Sequence, residues 1–305
     1  MAQTRSPRST SLCRCSSKAC RSRNALPNAS RNAPMASVKT WSSTSSRYKC
    51  ARIEPVAMVI YEVSDGIATL TLNNPAERNS MTAEMVRDIV AAMNSAESDP
   101  NVRVVIVTGA PPAFCAGANL GNLAEATRES LMAIYEGFLR VARSPLPTIA
   151  AVNGAAVGAG MNLALGCDVR IAARNAKFDS RFVQLGLHPG GGNSWMQLRI
   201  AGLQATMATV AFGEVLDGEA AVRAGLVWKC VDDDALLPTA REFAAKAADA
   251  PKELLVAIKK TVMDIGRVPT HTEAVEFELG PQVWSTRQPW FRERLAALQA
   301  RISKR

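Results

Sequence analysis

The chain has 305 residues, enough for one large domain or two small ones with a substantial core. Its formal net charge of +9 invites a polyanion partner until the charge is located. Residues 1–53 carry eight Arg, three Lys and no acid, whereas the rest carries 25 basic against 27 acidic residues, so the body offers no case for nucleic-acid binding.

Residues 1–57 are rich in Ser and Arg, poor in large apolar side chains, and predicted to be a disordered extension. The composition is similar to an organelle transit peptide, but its large apolar residues, Leu12 and Leu26 among them, are scattered rather than arranged as an apolar face. The competing reading is an over-long start with Met58 as initiator. A cytoplasmic location is therefore expected, or the mitochondrial matrix if the extension is a true transit peptide. Cys13, Cys15 and Cys20 lack the spacing and the His partner of a zinc site, so no metal is expected. Cys115, Cys167 and Cys230 lie in apolar segments and read as buried thiols. No unbroken run of about 18 apolar residues occurs, so no membrane span is expected.

Met58–Glu62 and Ile67–Leu72 alternate around Asp65-Gly66 and predict a hairpin. Thr82, with Glu84 close behind, caps a helix running to about Ser98. Val102–Thr108 reads as a buried strand and Arg128–Arg143 as a helix; Pro145 and Pro147 then reset the chain before a strand over Thr148–Val152. From Pro251 onward the pattern is helical, with breaks expected at Gly266, Pro269, Gly280 and Pro289.

Two stretches carry the chemistry. Val104–Gly109 leads through two prolines into Phe114–Leu120, and Thr148–Val152 leads through Asn153-Gly154 into the small-residue run that opens an apolar helix near Ala159. Small side chains let a ligand reach backbone N–H groups, and a helix N-terminus leaves those donors unpaired. Such donors stabilise a developing oxyanion.

With Thr69–Met81, Leu185–Gly192 and Gly213–Val227, these blocks resemble the crotonase (enoyl-CoA hydratase/isomerase) superfamily over essentially Met58 to Arg305. The resemblance implies an α/β fold: a crotonase-like ββα spiral core over 58–250 and a C-terminal helical region over 251–305 that assembles homotrimers or hexamers. It implies an acyl-CoA thioester as substrate, with CoA part of that substrate and no separate cofactor, and lyase or isomerase chemistry of the kind used in fatty acid metabolism. The thioester carbonyl is expected between the N–H groups of Ala118 and Ala159. Arg78, Asn79, Ser80 and Ala116 are expected near CoA, largely through backbone atoms, with Lys259 or Lys260 reaching it from a neighbouring subunit.

The departures from the family are as informative. The two positions that carry glutamates in the hydratases are Asn162 and Phe182, and the position where other branches place an Asp is Gly190. Neither replacement can exchange a proton, so hydratase turnover is expected to be very weak unless both glutamates are restored. Asn162 is left to hold a water or a carbonyl and the Gly190 N–H to orient a water. His188 is a candidate general base, against a competing reading as a cap for the helix beginning near Asn193. Asp179 is expected to pair with Arg181, and Cys115 to be packed rather than nucleophilic. Decarboxylation, thioester hydrolysis or binding of acyl-CoA without catalysis remain open beside hydration and isomerisation.

Overall fold

Four times along the chain a pair of strands is followed by a helix. The computed structural model describes residues 57–118 and 125–303, so the expected disordered extension lies outside the described residues. Val59–Ser64 (β1) and Ile67–Leu72 (β2) form the expected hairpin, turning at Asp65 and Gly66 with φ of 54° and 76°. Ala83–Ser98 (α1) follows, capped by the Thr82 hydroxyl, which accepts from the Met85 N–H at 3.1 Å. Val104–Gly109 (β3), Ala113–Cys115 (β4) and Arg128–Ala142 (α2) make the second unit. Thr148–Val152 (β5), Ala155–Val157 (β6) and Ala159–Gly166 (α3) make the third. Val169–Ala173 (β7), Lys177–Asp179 (β8) and Asn193–Val210 (α4) make the fourth.

The first unit places both of its strands in one sheet, and each of the next three contributes one strand to each of two sheets. The larger sheet has the order β1-β2-β3-β5-β7-β10, with Lys229–Val231 as β10; the smaller has the order β4-β6-β8-β9, with Leu216–Asp217 as β9. All pairings are parallel except β1 with β2 and β8 with β9. Parallel strands need crossovers and are buried on both faces. β3 obeys this. Val105 and Val107 point into a core shared with α1 and α2, whereas Val104 and Ile106 point into a second core. Leu236–Ala248 (α6) closes that second core with Ala240, Ala244 and Ala248, a row of small residues four apart that lets the helix lie close to the sheet. This is the ββα spiral expected from the resemblance.

Gly218–Arg223 (α5) precedes β10, and Lys252–Ile265 (α7), His271–Thr286 (α8) and Pro289–Ile302 (α9) end the chain. Gly266 caps α7 and Pro289 opens α9, where breaks were expected. Gly280 is different: α8 runs through it and through Pro281. A proline removes one helical hydrogen bond without ending the helix when the turns on both sides persist. Cys115 and Cys167 are buried, but Cys230 is half-buried at the edge strand β10, unlike the buried thiol expected. No helix among the described residues is long and apolar enough to cross a membrane.

One ion pair ties α1 to α2. Arg140 holds Glu97 through two bonds of 2.7 Å and reaches Asn94 at 2.7 Å with the same guanidinium. Burial opposes ionisation of Glu97, but the Arg140 bonds outweigh it, and the carboxyl titrates below its ordinary range. A depressed carboxyl contributes stability above its unfolded pKa and loses it as pH falls through the folded value. Glu97→Gln should therefore lower stability at pH 7 by about 1–3 kcal/mol and weaken the acid-side loss seen in the parent protein. Urea melts between pH 3 and 7 check this; an unchanged pH slope in the variant contradicts it.

Candidate active site

The parallel pairing of β4 with β6 sets the C-terminal ends of these two strands side by side (Cys115 beside Ala156), and both loops that follow open onto one pocket. Two glycines make this possible. A Cβ on Gly117, whose φ is +96°, would lie 2.6 Å from the Val157 carbonyl oxygen, and a Cβ on Gly160 would lie 2.1 Å from that of Cys115. Only backbone fits at both places, so the loops interlock. The Ala159 nitrogen lies 3.6 Å from the Gly117 Cβ position, which brings the second amide next to the loop that carries Ala118. Ala159 is the first residue of α3, where an N–H has no partner within the helix. Neither the Ala118 nor the Ala159 N–H has a hydrogen-bond acceptor among the described residues.

A third loop braces the first. Met81 N–H donates to the Gly117 carbonyl at 2.8 Å and Ala116 N–H to the Arg78 carbonyl at 2.9 Å. The Asn79 side chain, fully buried, accepts from Asn74 N–H and donates to the carbonyls of Ala110 and Ala113, each at 2.8 or 2.9 Å. Arg78 and Ala116 therefore line the pocket, while Asn79 and Ser80 sit behind it as supports.

The pocket holds about 270 Å³. Its walls are Leu131, Ile134 and Tyr135 of α2, Val157, Leu185 and Leu187, and its charged lining consists of Arg78 and Arg181. Asn162, Phe182 and Gly190 all line it. Among the described residues no Asp, Glu, His, Lys or Cys lines it. Arg181 is clamped to the buried Asp179 by its Nε at 2.8 Å and by one terminal nitrogen, which raises the guanidinium's pKa further. The expected Asp179–Arg181 pair is present, and the other Asp179 oxygen, Oδ1, has no partner among the described residues.

Several expectations change. Asn162, 2% exposed, is engaged at both ends of its amide: its Nδ2 donates to the Gly190 carbonyl at 3.0 Å and its Oδ1 accepts from Asn193 at 2.8 Å. The chain continues from Gln197 Nε2 to Asn193 Oδ1 at 2.7 Å and to Ser180 Oγ at 3.0 Å, and from Thr209 to Gln197 Oε1 at 2.6 Å. A carboxylate at 162 could not donate to Gly190, so restoring both glutamates would break this anchor. His188 is exposed, lies outside the pocket and bonds the Pro189 carbonyl at 2.8 Å. It does not cap α4, whose N-cap is Gly192. Cys115 is packed, and burial pushes its thiol up to about 12. Lys259 is tied to Asp168 and to the Leu146 carbonyl, and Lys260 to Asp264. No cluster of three His, Cys, Asp or Glu among the described residues could hold a metal ion.

Tyr135 escapes sequence reading, because Leu131, Ile134, Tyr135 and Phe138 make an ordinary helical core stripe. The only mark on it is rarity, as one of three tyrosines in the chain.

Two interlocked amide loops over an apolar pocket, on a ββα spiral, define a class of acyl-thioester enzymes, and comparison with known proteins agrees. A family model described as enoyl-CoA hydratase/isomerase matches residues 62–295, and the chain belongs to that family. It is 46% identical over 252 residues to a probable enoyl-CoA hydratase of Mycobacterium tuberculosis, covering 80% of this chain and 98% of that one. It is 35% identical to the 1,2-epoxyphenylacetyl-CoA isomerase of Escherichia coli, covering 80% and 96%. Among solved structures, an enoyl-CoA hydratase from Polaromonas sp. JS666 is 30% identical with a TM-score of 0.74, covering 80% and 97%.

Gly160→Ala should force α3 away from Cys115, because the contact is backbone and cannot yield. Acyl-CoA affinity measured by calorimetry should fall at least about tenfold, equivalent to about 1.4 kcal/mol. Unchanged affinity would contradict the interlock.

Proposed function

We propose that the protein binds acyl-CoA thioesters with the carbonyl oxygen between the Ala118 and Ala159 N–H groups and stabilises the thioester enolate there. The observation that carries this is the pair of unpaired amides opening onto one apolar pocket. A thioester carbonyl gains negative charge when its α-carbon acquires carbanion character, and loss of one such donor typically costs about 10²–10³ in rate. Arg78 at the rim is suited to a CoA phosphate.

Hydration needs one group to take a proton from the attacking water and another to give one to the α-carbon, and the lining has no carboxylate or imidazole among the described residues. That absence of a base, beside two guanidinium groups, favours a reaction that reaches the enolate without proton abstraction. Decarboxylation of a malonyl-type thioester fits best: the bond to the carboxylate breaks, carbon dioxide leaves, and the electron pair becomes the enolate. Full-length protein incubated with malonyl-type, enoyl- and saturated acyl-CoAs and followed by mass spectrometry should lose carbon dioxide from the first faster than it adds water to the second. Fast hydration of the enoyl-CoA would overturn this preference, and release of free CoA would indicate thioester hydrolysis. Phe182→Glu alone, which leaves the Asn162 anchor intact, should raise hydration by about 10-fold or more.

Assembly into trimers or hexamers is part of the same proposal. Helices α8 and α9 bury no residue within the subunit, and Val275, Phe277, Val283, Leu298 and Ile302 are exposed on them. Helices that bury nothing within the subunit yet carry several exposed large apolar residues are usually covered in an oligomer. Light scattering coupled to gel filtration should give three or six subunit masses; a monomer at micromolar concentration contradicts the proposal.

A further inference from the structure

Gly190 lacks a side chain because something else fills the space. A Cβ built there would lie 2.3 Å from the Tyr135 hydroxyl oxygen and 3.4 Å from the ring carbon bearing it. Tyr135 reaches this point from α2, with its ring packed on Phe138 at 5.4 Å between centroids. Phe138 in turn presses on Gly191, where a Cβ would meet its ring at 2.4 Å and Asn162 Nδ2 at 2.7 Å. The Gly190 carbonyl is held by Asn162, one turn along α3 from Ala159. The phenol is thereby fixed on the side of the pocket that faces the start of α3.

The hydroxyl has no hydrogen-bond partner among the described residues. Competing proton sources in the lining are spent. Ser180 is buried, contacts Met161 Sδ at 3.6 Å and accepts from Gln197. Arg78 and Arg181 do not release protons. Among the described residues the lining therefore offers one uncommitted acid, the Tyr135 hydroxyl beside Gly190.

We infer that the Tyr135 hydroxyl delivers the proton that ends the thioester enolate. The inference rests on the enolate chemistry of the preceding section. The enolate held at Ala118 and Ala159 gives its electron pair to a new C–H bond at the α-carbon, the Tyr135 O–H bond breaks, and the phenolate regains a proton from solvent water. The step is common to decarboxylation and to addition of water across an enoyl-CoA, since both pass through the same enolate.

The test is Tyr135→Phe in the full-length chain, which keeps the ring on Phe138 and removes only the hydroxyl. With 2-methylmalonyl-CoA and crotonyl-CoA in deuterated water, kcat should fall about 10²-fold or more while KM changes less than about threefold. Deuterium should enter the product α-carbon on one face with the parent protein and on both faces with the variant. Gly190→Ala, whose methyl displaces the hydroxyl, should reproduce the kcat loss and carries the test if Tyr135→Phe does not fold. A variant Tyr135→Phe with kcat within about twofold of the parent and one-sided deuteration overturns the role of Tyr135 and leaves the enolate chemistry standing. A parent protein that turns over neither thioester removes both.

Discussion

The site depends on backbone touching backbone. Where Gly117 meets the Val157 carbonyl and Gly160 meets that of Cys115, no side chain of any size fits, and two loops from different turns of the spiral become one surface. The strands beneath supply rigidity: β4 and β6 pair in parallel, and the adjoining strands β3 and β5 are buried on both faces of the larger sheet. Amide donors held this way need not reorganise as charge develops on a bound oxygen, which is the physical basis of strong electrostatic catalysis. Ala159 supplies its donor with only a methyl at the pocket wall.

Around that geometry the polar side chains are tied into the scaffold. Asn162 is better described as a structural amide than as a lost glutamate. It passes hydrogen bonds from the Gly190 carbonyl to Asn193, and through Gln197 to Ser180 and Thr209, so the loop over the pocket is anchored to α4. A fully satisfied buried polar chain of this kind rigidifies its surroundings. Phe182 makes the opposite wall apolar, and Tyr135 fills the space beside Gly190. The family fold is thus combined with a pocket whose described lining carries no carboxylate or imidazole.

Local patterning made much of this legible. Alternation located β2 and the proline reset located β5 at their observed bounds, and the helix expected over Arg128–Arg143 ends one residue earlier. The small-residue loops were readable because unpaired donors at a helix start need a glycine-rich approach. What stayed hidden is set by side-chain direction across long separations. Asn162 and Asn193 are 31 residues apart, and nothing local announces their bond. Tyr135 sits in a stripe indistinguishable from core, and His188, adjacent to a site loop in sequence, turns its ring to its own backbone. The helix α8 persists through Gly280 and Pro281 because a missing donor is tolerated where flanking turns hold.

The central claim is that two backbone amides polarise a thioester carbonyl. Difference infrared spectroscopy of an acyl-CoA labelled with ¹³C at the carbonyl, free and bound to the protein, measures this directly. Donation from Ala118 and Ala159 predicts a shift of the carbonyl stretch to lower frequency on binding. A bound thioester whose carbonyl frequency matches that of the free ligand would contradict the account.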